Sequence, residues 1–371
     1  MASSQVFFAD LSAEKDSASH PNKIIKLFKL LKPESFIDKE DLVAIKIHFG
    51  EPGSSAFIKP FLIRKLINNI KKLGGKPFLT DSNTLYKGPR QNAVDHLNTA
   101  FQHGFLPAVV NAPVIIADGL IGKDFARVKI DQKNLEYAHI GSAVHNADVF
   151  LALSHPTGHL ATGYGGALKN IGMGCGNRAG KQSMHADFKP NVDTTKCVGD
   201  GACARWCPVG AIKLVNKKAV VDKSKCIGCG ECVSSCNYGG ITINWDTPME
   251  LLQEKIVEYS LAVLKNKNHK TGFMNFLTNI SPDCDCLPWS DTPIVGDIGV
   301  LSSRDPVALD QATVDLINSS PGNATSRIKK SSLPENTDKF RAIWKDIDYT
   351  IQFKYAEELG LGTRNYELKK I

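Results

Sequence analysis

The sequence predicts an α/β fold, a largely parallel sheet flanked by helices, with a smaller α+β domain inserted into it. Two observations support this prediction. Short apolar segments alternate with segments of helical period before residue 190, the pattern of a parallel sheet covered by helices. Seven of the ten cysteines then fall between Cys197 and Cys236, and the alternation resumes after them. We therefore assign residues 1–189 and 246–371 to two parts of one α/β domain, and residues 190–245 to the insert.

Each predicted element of the α/β part follows from apolar periodicity and from the residues that end it. Short apolar runs between turn residues predict strands, and apolar positions at a spacing of three to four predict helices. The polar tail from Ser320 is left unassigned. In chain order the predicted elements are strand Leu42–His48, helix Ala56–Leu73 stopping at Gly74 and Gly75, strand Pro77–Thr80 ending at Asp81, helix Gln91–His103, strand Val114–Ala117, strand Asp148–Ser154, helix Pro248–Lys265, strand Pro293–Leu301 and helix Asp305–Asn318.

The cysteine-rich segment is a twofold repeat. A shift of 29 residues superimposes three cysteines of the first copy on three of the second, and Asp200 stands where the second copy has Cys229. The second copy has the spacing Cys-x2-Cys-x2-Cys-x3-Cys, which is typical of proteins that hold cubane iron–sulfur clusters. The three matched pairs are Cys197 with Cys226, Cys203 with Cys232 and Cys207 with Cys236.

This spacing predicts two clusters with crossed ligands. Three thiolates of one tight loop reach three corners of a cluster, and the fourth cysteine of the run ligates the other cluster. The predicted ligands of the first cluster are Cys197, Asp200, Cys203 and Cys236, and those of the second cluster, a 4Fe–4S cube, are Cys226, Cys229, Cys232 and Cys207.

Other uses of clustered cysteines fit the sequence less well. Disulfide bonds need an oxidising compartment, and the N-terminus has no signal-peptide pattern. Zinc sites use separated cysteine pairs, whereas this run has four cysteines in eleven residues. Asp200 leaves alternatives open, because a carboxylate binds iron more weakly than a thiolate. It either ligates a labile iron of a 4Fe–4S cluster, or it points to solvent and the first cluster is 3Fe–4S.

Composition narrows the functional classes. The formal charge is +7, and the basic surplus of residues 21–76 either attracts acidic electron carriers and phosphorylated substrates or is a solvated helix face. There is no nucleic-acid-binding module and no apolar run of membrane-spanning length, so we expect neither nucleic acid nor a membrane span. We expect a cytoplasmic protein and, because such clusters are sensitive to oxygen, an anaerobic host.

Titratable side chains end three of the predicted strands. His48, Asp81 and His155 lie at carboxyl ends, where open parallel sheets bind ligands, and we predict a catalytic site there. The glycine-rich stretch 163–180 adds Lys169 and Cys175, which we predict to bind a cofactor. The stretch departs from a P-loop, and it either cradles an anion with its N–H groups or is a tightly turning loop.

Cys284 and Cys286 form a C-x-C pair flanked by two aspartates. Alternate residues of an extended segment point the same way, so both thiols could face one point. Together with Cys175 and a histidine they could bind a metal or accept two electrons as a dithiol, and we add both to the catalytic candidates. The alternative is a pair of buried structural thiols.

Five blocks of the chain resemble a known family, the uncharacterised iron–sulfur-centre proteins grouped as domain-of-unknown-function family 362. The resemblance implies a two-cluster ferredoxin insert with cysteine where this chain has Asp200, and it implies no particular reaction. The fold bears a weaker resemblance to the N-terminal domain of nickel-pincer lactate racemases. The five blocks are VAIKIHFGE (43–51), LTDSNTLYKGPRQNAVDHL (79–97), GGALKNIGMGCGNRAGK (165–181), DCDC (283–286) and GDIGVLSSRDPVALDQA (296–312).

The sequence therefore predicts a ferredoxin-type electron-transfer protein that is a redox enzyme or a subunit of one. A redox partner, such as a ferredoxin, a flavoprotein or an oxidoreductase subunit, is expected, and a small-molecule substrate is compatible with the strand-end site. The alternatives are a non-catalytic electron carrier or docking module, and an iron–sulfur redox sensor. A glycine-rich stretch and a C-x-C beside titratable strand ends favour the enzyme over the carrier.

Overall fold

A computed structural model describes residues 3–86, 88–185, 190–207, 209–226, 232, 235–236, 238–242, 248–328 and 334–371. The described part holds one eight-stranded sheet and four two-stranded sheets. Their strands are β1 Ser4–Asp10, β2 Leu42–Lys46, β3 Lys76–Asp81, β4 Val114–Ile116, β5 Phe125–Lys129, β6 Tyr137–Gly141, β7 Val149–Ser154, β8 Thr157–His159, β9 Gly163–Gly165, β10 Asn191–Val192, β11 Ile212–Val215, β12 Lys218–Val221, β13 Ile241–Thr242, β14 Thr271–Leu277, β15 Gly299–Ser303 and β16 Tyr366–Lys370.

Helices cover both faces of the large sheet. Short 3₁₀ turns at Asp16–Ala18, Pro33–Ser35 and Pro60–Ile63 supplement them. Within the described residues no helix is both long and apolar enough to cross a membrane. The α-helices are His20–Leu30, Arg64–Lys72, Ala93–Gln102, Pro107–Val110, Ser142–Asn146, Ala167–Cys175, Arg178–His185, Ala202–Arg205, Met249–Leu264, Pro306–Ser319, Lys339–Ile343 and Thr350–Glu358.

The eight-stranded sheet is mostly parallel, which confirms the predicted mixed α/β class. Its strand order is β16-β1-β15-β14-β7-β2-β3-β4. β15 runs antiparallel to both of its neighbours, β1 and β14, and the other pairings are parallel. The carboxyl ends of β14, β7, β2 and β3 therefore meet at one edge of the sheet, where such folds bind ligands.

Two hydrophobic cores lie on opposite faces of this sheet. Along β7, Val149, Leu151 and Leu153 belong to the core beneath His20–Leu30 and Arg64–Lys72, whereas Phe150 and Ala152 belong to the other core. Successive side chains of a strand point to opposite faces, so a strand buried on both sides is apolar at every position. This explains why DVFLALS identifies a strand without any polar alternation.

Two predicted elements begin well after their predicted first residue, whereas the other predicted bounds agree with the structure to within about two residues. The helix predicted over Ala56–Leu73 begins only at Pro60, with a 3₁₀ turn, and becomes α-helical at Arg64. Proline is favoured in the first turn of a helix because that position needs no N–H donor. The strand predicted over Pro293–Leu301 begins at Gly299. Ile294 and Val295 are apolar because their loop is buried, and the Ile294 N–H donates to the Ile280 carbonyl at 2.8 Å.

Three strands of the large sheet were not predicted, namely β1, β14 and β16. β14 lies in the middle of the sheet with all seven residues buried.

In the segment between residues 190 and 242, β10 pairs with β13 and β11 with β12, both antiparallel. The predicted division into 1–189, 190–245 and 246–371 stays a prediction.

Candidate functional site

A cavity of about 820 Å³ lies at the carboxyl ends of β2, β3 and β7. Cys175 is not among its lining residues. It is fully buried in the hydrophobic core, where burial raises the pKa of its thiol to about 12. The predicted site residues that line the cavity are His48, Asp81, His155, Lys169, Cys284 and Cys286.

Asp81 is the centre of a buried charge network. Its carboxylate lies 3.0 Å from Lys46 Nζ, 3.5 Å from Arg90 Nη1 and 3.8 Å from His96 Nε2. Arg90 also pairs with Glu51. Burial acts to raise the pKa of Asp81, but Lys46 and its other cationic neighbours outweigh burial and hold the pKa well below its usual range. Asp81 therefore stays ionised and positions two cations.

Sequence reasoning missed three members of this network, Lys46, Glu51 and Arg90. All three are nearly fully buried. The available signal was a charged residue inside an apolar run, as with the lysine of LVAIK at 42–46, since a charge is buried only when it is paired.

Two histidines of the cavity are neutral. His48 Nδ1 accepts a hydrogen bond from the Gly50 N–H at 3.0 Å. His159 Nδ1 accepts hydrogen bonds from Ala161 and Thr162 N–H groups, each at 3.2 Å. Burial is the main cause that places the pKa of both rings well below 6.5. Because Nδ1 accepts in each ring, the single proton of the neutral imidazole is on Nε2.

His155 differs from the other two. Its Nδ1 lies 2.7 Å from Asp285 Oδ2, and its Nε2 lies 2.7 Å from the Thr278 carbonyl oxygen. Burial opposes the charge, but the carboxylate and the carbonyl outweigh it and raise the pKa of His155. Both nitrogens donate to acceptors, so no lone pair is left for a substrate proton. His155 therefore anchors the segment that carries Asp285. Its catalytic role, predicted from the strand-end position, stays a prediction.

The C-x-C pair lies in a turn, not in the extended segment that was predicted. The Leu287 N–H donates to the Cys284 carbonyl at 3.0 Å and closes the turn. The two flanking carboxylates hold this turn, since Asp285 pairs with His155 and Asp283 pairs with Arg327. A nitrogen of His159 and the sulfurs of Cys284 and Cys286 lie within 4.8 Å of one another. Both thiols do face one point, with His159 rather than Cys175 beside them.

Lys169 provides the positive charge beside the thiols. Its Nζ lies 3.4 Å from Cys284 Sγ. The pKa of Cys284 is lowered to about 6 despite burial. The hydrogen bond from the Cys286 thiol is the largest cause, and the charge of Lys169 is a further cause. The same hydrogen bond, together with burial, raises the pKa of Cys286 well above its usual value. The pair therefore holds one proton near neutral pH, on Cys286.

Most of the glycine-rich stretch is helical and not a loop, and its first residues, Gly163–Gly165, form strand β9. Residues Ala167–Cys175 and Arg178–His185 form two helices. The first N–H groups of Ala167–Cys175 donate to the Asp310 carboxylate, at 2.7 Å from Ala167 and 2.9 Å from Leu168, and are not available to an anion. Gly172 is required for packing, because a side chain there would clash with the Ile256 carbonyl.

The two cysteine copies of the insert begin with the same turn. Cys197 N donates to the Asp193 carbonyl at 3.0 Å, and Cys226 N donates to the Asp222 carbonyl at 3.1 Å. Each aspartate carboxylate also accepts from a backbone N–H two residues later, at 3.0 Å in both copies. The sequence repeat is therefore a structural repeat in these two opening turns.

The two copies also interlock. The Asp193 N–H donates to the Gly240 carbonyl at 2.9 Å, and the equivalent Asp222 N–H donates to the Ala211 carbonyl at 2.7 Å. Ala211 and Gly240 in turn donate to the sulfurs that end the two runs, Cys207 at 3.1 Å and Cys236 at 3.2 Å. The last cysteine of each copy is thereby brought to the first loop of the other.

Asp200 is exposed, and its Oδ1 accepts a hydrogen bond from the Ala202 N–H at 3.1 Å. This hydrogen bond lies just before the helix Ala202–Arg205, whose N-cap residue is Gly201. Cys203 and Cys232 are buried, and Cys197, Cys207 and Cys236 pack around the same small apolar cluster. Cys229, a predicted ligand, lies outside the described residues.

Leu85 connects the insert to the cavity. It is 5% exposed and belongs to the apolar cluster of Cys203 and Cys232, and it also lines the cavity. The next residue, Tyr86, has its hydroxyl 3.2 Å from the Cys286 carbonyl oxygen. Two consecutive residues therefore reach the apolar cluster of the insert on one side and the C-x-C turn on the other.

Comparisons with known proteins give one family and two solved structures. A family model described as domain of unknown function (DUF362) matches residues 43–315. Lactate racemase apoprotein from Thermoanaerobacterium thermosaccharolyticum is 12% identical, with 73% of this chain and 50% of that chain covered and a TM-score of 0.38. A protein from Thermotoga maritima is 8% identical, with 94% and 61% covered and a TM-score of 0.40. The chain thus spans one half to about three fifths of these structures. Among curated proteins none matches.

Proposed function

We propose that this chain, which belongs to the family described as domain of unknown function (DUF362), is an iron–sulfur electron-transfer protein. Its insert exchanges electrons with the α/β cavity. The protein is then a redox enzyme, or a subunit of one, in an anaerobic cell. Its redox partner is a ferredoxin, a flavoprotein or an oxidoreductase subunit, and its cavity receives a small molecule.

The donor chemistry of the insert fits iron–sulfur clusters. Soft thiolates are the ligands that such clusters use, and backbone N–H groups that donate to sulfur stabilise them. Three N–H···S hydrogen bonds of this kind lie in the described part of the insert, to Cys197, Cys207 and Cys236. The interlocked copies support the crossed ligand scheme. The proposed sets are Cys197, Asp200, Cys203 and Cys236 for a 4Fe–4S or 3Fe–4S cluster, and Cys226, Cys229, Cys232 and Cys207 for a 4Fe–4S cluster.

The position of Leu85 carries the proposal that electrons reach the cavity. A free-standing electron carrier does not need its cysteines packed against the wall of a cavity lined by thiols and charged groups. Here one buried side chain contributes to both the apolar cluster of the insert and the cavity lining. This contact favours an enzyme, with the insert as its electron relay, over a carrier that uses the α/β domain only for docking.

The test compares two cysteine variants of protein purified without oxygen. Cys203→Ser removes a proposed cluster ligand, whereas Cys175→Ser removes a core thiol that lines neither the insert nor the cavity. We expect Cys203→Ser to lose iron and to change the EPR spectrum of the reduced protein. Cys175→Ser should retain both the iron content and the spectrum. Equal iron content and equal spectra in both variants would overturn the proposed ligand set.

A redox sensor is the second candidate, and the exposure of Asp200 favours it. An iron at a solvent-facing corner of a cluster, held by a carboxylate or by no protein ligand, is more easily released than an iron held by a buried thiolate. A sensor should lose and regain one iron reversibly on mild oxidation, with a matching change in binding to a partner. Asp200→Cys should abolish this loss. Unchanged iron loss in Asp200→Cys would contradict the sensor.

A further inference from the structure

The turn Cys284–Leu287 brings two sulfurs together at the cavity wall. Both cysteines are partly accessible, and both line the cavity. The two carboxylates around them are already used, since Asp283 pairs with Arg327 and Asp285 with His155. The thiols are therefore held in place by the loop while their sulfurs stay available for chemistry.

The surroundings of the sulfurs favour thiol chemistry over a bound metal ion. The proton of the neutral His159 ring is on Nε2, because Nδ1 accepts from two backbone N–H groups. A metal-binding histidine normally donates its second nitrogen to an acceptor, and here that nitrogen meets donors instead. Lys169 Nζ, at 3.4 Å from Cys284 Sγ, already supplies the positive charge that a thiolate needs. The negative charge of one thiolate is balanced by the positive charge of the Lys169 ammonium, and the other thiol is neutral, so no metal ion is needed to balance the charge.

We propose that Cys284 and Cys286 are a redox-active dithiol that closes to an intrachain disulfide in the cavity. On closing, the Cys284 thiolate and the Cys286 thiol form one S–S bond, and the two electrons and one proton pass to an oxidising small-molecule substrate in the cavity. On opening, the disulfide takes up two electrons and one proton and returns to the thiolate and the thiol. Lys169 holds the Cys284 sulfur as the thiolate, and a ring nitrogen of His159 lies within 4.8 Å of both sulfurs.

The assignment of a source for the two electrons rests on the proposed function. Under it, the redox partner protein delivers electrons one at a time by way of the insert, and the dithiol collects them as a pair for the cavity. Leu85 belongs to the apolar cluster that contains Cys203 and Cys232, and the Tyr86 hydroxyl lies 3.2 Å from the Cys286 carbonyl oxygen. Tyr86 is held from the other side by Arg90, whose Nη2 donates to the hydroxyl at 2.7 Å. The dithiol is thus joined to the insert through two neighbouring residues.

The first experiment titrates the two thiols in wild-type protein. The protein is equilibrated in buffers of reduced and oxidised dithiothreitol that cover a series of redox potentials, and it is then alkylated and digested. The mass of the peptide that contains residues 284 and 286 is measured by mass spectrometry. We expect the unalkylated, disulfide-linked peptide to interconvert with the doubly alkylated peptide. The ratio should change tenfold for about every 30 mV, as for a two-electron couple. Cys175 should stay a free thiol at every potential.

Two outcomes would overturn the dithiol. One is a peptide that stays doubly alkylated at every potential. The other is a stoichiometric metal ion that protects both thiols and is lost in Cys284→Ser. This titration does not depend on bound clusters. A disulfide found in protein that contains no iron would therefore refute the proposed function and leave the dithiol standing. Iron and sulfide in protein without a disulfide refute this inference only.

A second experiment tests the link to the insert. Reduction of the disulfide by a one-electron viologen donor is compared with reduction by dithiothreitol, in wild type and in Cys203→Ser. We expect Cys203→Ser to slow the viologen reaction at least about tenfold and to leave the dithiothreitol reaction unchanged. Equal viologen rates in the two proteins would contradict delivery through the insert.

Discussion

Replacing Lys169 by glutamine should raise the pKa of the Cys284 thiol. The ammonium lies 3.4 Å from the sulfur, and the pKa of Cys284 is about 6. The hydrogen bond from Cys286 is the larger cause of this low pKa, and it remains in the variant. Lys169→Gln keeps a side chain of similar length with an N–H donor, but it removes the charge.

The magnitude follows from the strength of a charged hydrogen bond. Such a bond contributes about 1.5–3 kcal/mol, and about 1.4 kcal/mol corresponds to one pH unit in a pKa. We therefore expect the pKa of Cys284 to rise by about one to two pH units in Lys169→Gln. Cys284 would then carry a proton over much of the range near neutral pH, where in wild type it is a thiolate.

The assay is the pH dependence of alkylation of reduced protein by iodoacetamide, read at the peptide that carries Cys284. The midpoint of the profile is the quantity to compare. A thiolate of higher pKa is a stronger nucleophile, so the rate at a single pH mixes two opposing effects. Lys169→Arg, which keeps the charge, should keep the midpoint close to that of wild type.

Lys181→Gln is the matched control. Lys181 is another buried lysine of the cavity, but its Nζ donates to the Gly176 carbonyl at 2.5 Å instead of contacting a thiol. Its replacement should leave the Cys284 midpoint unchanged. An unchanged midpoint in Lys169→Gln, or equal shifts in both glutamine variants, would refute the assignment of Lys169 as the partner of the thiolate.

Three further predictions concern stability. Asp81→Asn leaves buried cations without their carboxylate and should lower the free energy of unfolding by about 3–5 kcal/mol in denaturant titrations, whereas the exposed Glu40→Gln should not. Leu85→Ala should lower it by about 2–5 kcal/mol and speed iron release to a chelator, in contrast to the exposed Leu120→Ala; equal release rates would contradict the packing role. The pKa of His155 is raised above 6.5, so the stability that wild type gains over His155→Gln should be complete below pH 6.5 and fall as pH rises through the raised pKa. A pH-independent difference would contradict the charged pair with Asp285.

Local patterns predicted four strands of the large sheet, β2, β3, β4 and β7, and the residues at the carboxyl ends of three of them. β2, β3 and β7 were read from apolar runs, and their carboxyl ends do converge because parallel strands finish at one edge. The cysteine repeat was visible because identical spacing at one offset is a local property. Both predictions needed only residues that are close in sequence.

The contacts that define the site could not be predicted in this way. Tyr86 reaches Cys286 across 200 residues, and His155 reaches Asp285 across 130. The glycines near Gly172 were assigned to a loop because glycine is common there, but the structure needs them for close helix packing. β14 is not predicted because Gly272 and Asn275 interrupt its apolar run; Asn275 is buried because it donates to Asp310 and Thr313.

The most direct test of the account is the iron and acid-labile sulfide content per chain of protein purified without oxygen, with EPR spectra before and after reduction. We expect about eight irons when the cluster at Asp200 is complete, or about seven irons with an oxidised 3Fe signal when that corner is empty. The signals of the reduced protein should persist in Cys284→Ser. Zinc in place of iron, or a chain without sulfide, would contradict the iron–sulfur assignment and the electron-transfer function built on it.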